Sequence, residues 1–473
     1  MTQADTTGVA GFASQLREVE VPDLPVQGEL PRWLRGRLIR TGPARFEVGR
    51  DAYRHWFDGL AMLHQFELTD DGRASFRNRF VRSRSYELAM QHGRIAVPEF
   101  GTVPRRGPFG RLIAALRRPQ ATDNTNVNVA RFGDVFLAMT ETPTPLRFDP
   151  ATLETVGPFE WRDDLEGALT TAHPQIDARR GKVFNHLTEF GPRCRYHVYA
   201  LGLGDDRRVP IATLPVDLPA YIHSIGATEN HLLFVECPLF APPLRLRFGA
   251  SPFRDLLQWK PERGTRIRAI HKDTGEVVAD HRTDPMFAFH HVNAHESDGS
   301  IVMDLCVHRD DAVFEDLTLA HLRSSSPPSA VARLRRYVLW PGSGGRFEYR
   351  DLSDQELELP RVDPRVETLA HRHVYGATNR ARGGFLDTLV KVDVETGDAV
   401  QWSEAGVFPG EAVFVPAPGG EVDEGVCLSV VLEAERDRSA LLVLDATSFE
   451  ERARIRVPIR VPYHFHGQFF TRA

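Results

Sequence analysis

Short runs in which apolar residues crowd out or alternate with polar ones recur along the chain: HLLFVECPLF from 231, SIVMDLCVH from 300, TLVKVDV from 388, VCLSVVLEAE from 426 and ALLVLDA from 440. Each has the length of a β-strand, is rich in β-branched or aromatic residues, and is bounded by Gly, Pro or Asp, so the spacing predicts strands. Helical periodicity is scarce. Its clearest instance, FGRLIAALRR from 109, sits in an insertion between strand-like runs. The chain reads as mainly β.

A weak repeat overlies this pattern. FDPATLETV at 148, AIHKDTGEVVAD at 269, VDVETGDAVQW at 392 and LDATSFEERARI at 444 each place a polar turn with Thr or Ser between two strand-like flanks. Each predicts a hairpin, and recurrence at irregular intervals suits radial repetition of four-stranded sheets, a β-propeller. An array of β-sandwiches fits the same pattern, and the repeat is too degenerate to count blades.

Composition narrows the classes. With 473 residues, 42% of them hydrophobic, the chain has material for a large core and no need of disulfides. Its 58 basic and 64 acidic residues give a net charge of −6, which excludes the basic field that nucleic acid requires. Cys194, Cys237, Cys306 and Cys427 are scattered, as suits reduced thiols in a cytoplasmic protein. The opening MTQADTTGVAGF lacks the basic start and apolar stretch of a secretory signal, and no apolar run is long enough to cross a bilayer. A cytoplasmic location with any membrane contact peripheral is therefore expected.

Candidate chemistry lies in the histidines. Of 19, four stand in largely apolar, strand-like settings: His173 in TTAHPQID, His223 in PAYIHSIGATENH, His290 in MFAFHHVNAHESDG and His466 in VPYHFHGQFF. An imidazole carried into a core costs free energy unless it is hydrogen-bonded or bound to a metal. Taken singly, each is more often a hydrogen-bonded core residue than a ligand. As a set, they could converge only at the axis of a closed β structure.

These four contexts, together with HWFDGLAMLHQF at 55, ATDNTNVNV at 121, AMTETP at 138, ELELPRVDPR at 356 and PGEAVFVP at 409, resemble the carotenoid cleavage oxygenase family. The match runs in order from about Trp33 to Gly467 and is nearest the animal-type branch of β-carotene oxygenases and the retinoid isomerase of the eye. The resemblance implies an all-β, seven-bladed β-propeller with helical insertions over the top face. It also implies one domain, 1–473, with a short N-terminal tail, 1–15. It further implies Fe(2+) on the axis, O2 as co-substrate, and cleavage of a carotenoid or apocarotenoid double bond to aldehydes such as retinal.

Position by position, the resemblance makes His173, His223, His290 and His466 the metal ligands. His290 is preferred to His291 because the family keeps the first histidine of the motif, and His291 should point to the opposite strand face. His464 should share the strand face of His466, but the family's FHG signature selects His466. Glu141, Glu358 and Glu411 match the carboxylates that orient His223, His290 and His466, while His173 has none. Donor type alone would not select iron over zinc, but zinc prefers to close tetrahedrally and cannot activate O2.

A lipid-borne substrate calls for a membrane-facing mouth. If helical, PRRGPFGRLIAALRRPQ sets Phe109, Leu112, Ile113 and Leu116 on one face, flanked by Arg105, Arg106, Arg117 and Arg118. An ordinary amphipathic helix packed on the protein has the same spacing. The apolar insertion from 238, PLFAPPLRLRFGASPFRDLLQW, is a second candidate for this mouth. Three rival activities remain: an iron-dependent retinoid isomerohydrolase, a stilbene-cleaving dioxygenase and a non-catalytic propeller that binds partners. Stilbene-cleaving relatives carry a lysine directly before the first orienting glutamate, where this chain has Thr140.

Overall fold

The four repeated hairpins share one turn, and its chemistry explains the Thr/Ser signature. The side chains of Asp149, His271, Asp393 and Asp445 each accept from the backbone N–H groups two and three residues ahead, at 2.6 to 3.3 Å. The hydroxyls of Thr152, Thr274, Thr396 and Ser448 then accept the N–H two residues further on. The next position is left-handed in every case: Leu153, Gly275, Gly397 and Phe449 have φ of 61°, 71°, 82° and 62°. Glycine adopts this freely, whereas Leu and Phe hold it at about 1–2 kcal/mol. Burial of Leu153 and Phe449 offsets that cost.

In this computed structural model residues 8–105, 107, 121–248, 251–324, 331–342, 345–380 and 385–471 are described. Three of the repeated hairpins join the last two strands of a four-stranded antiparallel unit, and the fourth joins Arg438–Asp445 to Glu451–Arg456 in a six-stranded sheet. One unit runs Asn128–Phe132, Val135–Met139, Leu146–Phe148, Thr155–Pro158; the next Gln175–Asp177, Lys182–Glu189, Cys194–Gly202, Val209–Val216. A third runs Gly226–Ala227, His231–Glu236, Thr265–His271, Val277–Thr283. The strand Phe347–Arg361 serves two units: its first part pairs with Ala332–Leu339 and its end, from Glu358, with His373–Thr378. The strands predicted at 231, 300, 388, 426 and 440 all form.

Successive sheets bury their apolar faces against one another. Ala130 and Leu137 meet Val183 and Leu201. Phe184 and Tyr196 meet Leu232 and Phe234. Cys306 and Leu334 meet Val374 and Val390. Each fully buried Leu or Phe contributes about 1.5–3 kcal/mol. The chain ends close on themselves. Gly467–Thr471 pairs with Gly36–Arg45, and Leu38 and Phe66 of that first sheet pack on Leu428 and Val443 of the last. The four cysteines are free and buried.

Short helices enter as insertions between strands. Phe253–Leu256 and Val313–Asp316 bring Phe253 and Phe314 to the ring of Phe100, at centroid distances of 5.9 and 5.5 Å. No helix among the described residues is long and apolar enough to cross a membrane. Phe109, Leu112, Ile113 and Leu116 lie outside the described residues. Val9–Phe12 forms a 3-10 turn, and Phe12 is fully buried against Trp56, Phe385 and Tyr463. An aromatic anchor, invisible to composition, ties this segment to the core.

Candidate metal centre

Each of the four histidines stands just upstream of a strand that opens or closes a sheet. His173 precedes Gln175–Asp177, His223 precedes Gly226–Ala227, His290 abuts His291–Ser297 and His466 abuts Gly467–Thr471. Packing the sheets around one another brings these strand starts together. One nitrogen from each ring lies within 4.8 Å of all the others. Nε2 of His173 is 3.2 Å from Nε2 of His223, and Nε2 of His290 is 3.1 Å from Nε2 of His466. Three of the rings are buried and His173 is half-buried.

The opposite nitrogens of three rings meet carboxylates. Nδ1 of His223 lies 2.6 Å from Glu141, Nδ1 of His290 2.6 Å from Glu358, and Nδ1 of His466 2.8 Å from Glu411. His173 has no carboxylate partner among the described residues. An ionised carboxylate can only accept, so these Nδ1 atoms carry the protons and the Nε2 atoms present bare lone pairs. Two bare nitrogens 3.1 Å apart, as in His290 and His466, repel unless a cation lies between them. At about 2.1 Å from a metal, donors at right angles are about 3.0 Å apart and tetrahedral donors about 3.4 Å. The spacings of 3.1 and 3.2 Å lie within the range spanned by donors that share one ion.

Electrostatics agree with this protonation pattern. Burial lowers His173 well below the ordinary imidazole range, helped by the neighbouring rings. Burial also pushes His466 down to about 3, against the pull of Glu411, and lowers His290 against Glu358. For Glu358, burial would raise the carboxyl, but His290 and His308 outweigh it and hold it well below its usual range. For Glu411, burial is likewise outweighed, by Arg361 and His466. Neutral imidazoles backed by charged carboxylates are the ligand-ready state.

Each of these three glutamates has a further donor that the sequence reading missed. Tyr221 Oη donates to Glu141 at 2.7 Å, His308 Nε2 to Glu358 at 2.7 Å, and Arg361 Nε to Glu411 at 2.9 Å. Tyr221 two residues before His223 and Arg361 three after Glu358 gave a positional hint. His308 gave none, because only sheet packing brings it to Glu358.

The two rejected histidines point elsewhere. His291 bonds Ser224 Oγ at 2.9 Å and packs over Gly226, where an added Cβ would lie 2.6 Å from the ring. His464 does not share a strand face with His466, as the alternation rule suggested. The ladder begins only at Gly467, so no period-two rule governs the irregular segment before it. His464 instead packs against His64 at a tilt, with ring centroids 4.2 Å apart.

One side of the cluster is aromatic. The Phe289 ring lies 5.1 Å from His223 and 6.1 Å from His290, and Phe57 links it to Phe465 at 6.0 and 5.2 Å. Thr140, beside Glu141, is buried and uncharged. The arrangement sets four imidazoles that could hold a metal ion beside an apolar wall.

Comparison with known proteins agrees in extent with this architecture. The family model described as retinal pigment epithelial membrane protein matches residues 12–471. A mitochondrial carotenoid-cleaving dioxygenase of Mustela putorius furo is 33% identical over 513 residues, covering 96% of this chain and 94% of that protein. The human β,β-carotene 15,15'-dioxygenase is 31% identical over 504 residues, covering 94% and 91%. Cobalt-substituted apocarotenoid oxygenase of Synechocystis superposes with a TM-score of 0.85 at 27% identity, covering 98% of both chains.

Proposed function

The chain belongs to the retinal pigment epithelial membrane protein family of carotenoid oxygenases, and from that premise we propose that it is a carotenoid-cleaving dioxygenase working on Fe(2+). Both atoms of O2 end on the two carbons of one polyene double bond, which breaks to leave two carbonyl fragments. The substrate is a carotenoid or apocarotenoid, and the central bond, giving retinal-like aldehydes, is the expected position. Iron, when bound, supplies the redox chemistry that brings O2 to react with the polyene.

In this reading His173, His223, His290 and His466 hold the ion. Glu141, Glu358 and Glu411 keep three of the rings aimed and in the Nδ1–H tautomer. The observation that carries it is the pair of bare Nε2 atoms of His290 and His466, 3.1 Å apart and unsatisfied without a cation. The wall of Phe57, Phe289 and Phe465 suits a hydrocarbon chain. Thr140 offers no cation for a phenolate, which disfavours hydroxystilbenes, and an ammonium there would be a costly desolvated charge against a polyene.

The architecture is read as one domain, a propeller of seven blades. Support comes from the larger sheets among the described residues, which give seven units when Phe347–Arg361 is shared, five of four strands, one of five and one of six, and from the packing of last on first. Phe109, Leu112, Ile113 and Leu116, which lie outside the described residues, are read as membrane-facing side chains of a cytoplasmic, peripherally membrane-associated protein.

The test is to incubate the iron-loaded protein with detergent-dispersed β-carotene, an apocarotenal, a retinyl ester and a 4-hydroxystilbene, and to identify products. Aldehydes from the polyenes are expected. Cleavage of the stilbene alone, isomerisation of the ester alone, or activity and fold indifferent to iron would each overturn the proposal.

A further inference from the structure

Glu358 sits at the joint of the strand Phe347–Arg361, where pairing passes from one sheet to the next. The following residue, Leu359, has φ of 54°, a left-handed conformation held at some cost by a non-glycine residue. This bend turns the Glu358 carboxyl inward, where it is buried. Its Oε2 faces Nδ1 of His290 at 2.6 Å and accepts the N–H of Leu359 at 3.0 Å. Its Oε1 meets one partner among the described residues, Nε2 of His308, at 2.7 Å.

The terminal torsion of a glutamate is broad and two-fold. A carboxyl held by one oxygen can therefore rotate, and an imidazole hydrogen-bonded to it turns with it. Two bonds to two different oxygens remove that freedom. His308 is well placed to supply the second, because its backbone exchanges hydrogen bonds with Phe287 in both directions, at 3.0 and 2.7 Å. Cys306, two residues earlier on the same strand, donates its N–H to the carbonyl of His290 at 3.0 Å. One strand, Ser300–Val307 with its following residue, thus grips the His290 backbone directly and the His290 ring by way of Glu358.

We propose that His308 is a positioning residue of the metal centre, which pins the far oxygen of Glu358 and so fixes the plane of the His290 imidazole. The proposal rests on the reading of the four histidines as an iron site. The acceptor-only carboxylate requires a hydrogen on Nε2 of His308, so what matters is a donor at that atom and not the ring itself.

The substitutions His308→Gln and His308→Met separate the two. Both side chains are unbranched and of similar volume, and the Gln amide nitrogen lies as many bonds from Cα as Nε2 of histidine. Only Gln can donate. The readouts are the rate at which a ferrous chelator strips iron from the loaded protein, the visible spectrum of the cobalt-substituted protein, and kcat against KM on an apocarotenal. For His308→Met, stripping about tenfold faster, a changed cobalt spectrum and a kcat about tenfold lower at unchanged KM are expected, with His308→Gln close to the parent.

Parent-like behaviour of His308→Met, or equal impairment of both variants, would overturn the proposal. Should His308→Met fail to fold, His308→Asn takes its place, since its amide is one bond too short to reach Glu358 and should behave like Met. A His290→Ala control keeps the two readings apart. If His290→Ala retains full iron, the metal site itself is misread; if it loses iron while His308→Met holds it at the parent rate, only the role of His308 falls.

Discussion

Replacing Glu411 by Gln probes the link between a carboxylate and its proposed ligand imidazole most directly. Glu411 is fully buried; Oε1 accepts from His466 Nδ1 and Arg361 Nε, and Oε2 accepts the N–H of Gly467 at 3.0 Å. A Gln that keeps its oxygen at the Oε1 position must aim its NH2 at the N–H of Gly467, donor against donor, at a cost of about 1–3 kcal/mol. Arg361 and the buried Arg40 also lose their counter-charge, and breaking a buried pair costs about 3–5 kcal/mol at the upper end. Against a total stability of about 5–15 kcal/mol, the variant should fold with a lowered Tm. Iron affinity and kcat/KM should fall ten- to a hundredfold, about 1.4–2.7 kcal/mol. Because the Glu411 carboxyl is held below its ordinary value in the fold, its ionised form stabilises fully above about pH 4.3 and less as pH falls through the folded value. The stability gap between parent and Glu411→Gln should therefore be constant from pH 7 to about pH 5.5 and shrink below about pH 4.3. Competitive chelator titration and pH-dependent melting measure both effects. Unchanged iron affinity and kinetics, or a gap that widens in acid, would refute the reasoning.

Further outcomes are expected. Alanine at His173, His223, His290 or His466 should remove activity and most bound iron, whereas His291→Ala and His464→Ala should keep much of their metal; the converse at His290 and His291 would mean the strand register is wrong. Exchanging Phe109, Leu112 and Ile113 for serine should weaken sedimentation with liposomes and turnover of lipid-dispersed substrate while leaving iron content intact, and equal sedimentation would return the segment to an ordinary packed helix. Buried His186 is pushed down to about 3 by burial alone, so its neutrality stabilises fully above about pH 6.5 and progressively less as pH falls towards 3. His186→Phe should flatten the acid limb of the melting curve by up to one proton, about 1.4 kcal/mol per pH unit, and an unaltered limb would show that the ring is not protonated on unfolding.

Local physics was open to reading from the chain. Strands such as SIVMDLCVH and ALLVLDA announce themselves by apolar side chains on both faces, and the repeated hairpins by an acceptor side chain followed by Thr or Ser. The turn that results was not foreseen in detail, because a left-handed Leu153 or Phe449 carries no glycine to mark it. The four histidines were separable from the other fifteen only through the motifs they share with a family, since a buried imidazole looks the same in sequence whether it meets a carbonyl or a metal.

The pairing of donors with ligands was decided in three dimensions. Glu411 and His466 are 55 residues apart, Glu358 and His290 68, and Glu141 and His223 82. Nothing in the residues between them specifies these distances. They arise because each sheet packs its apolar face on the next, which carries the strand starts to one point. The same packing brought His308 to Glu358 and sent His464 to His64. Sequence by itself determined what each segment can be, strand, turn or insertion, because that depends on neighbours within a few residues. Which polar groups share a buried centre depends on how whole sheets stack, and a hydrogen bond between two such groups is specified by the burial of dozens of apolar side chains that touch neither of them.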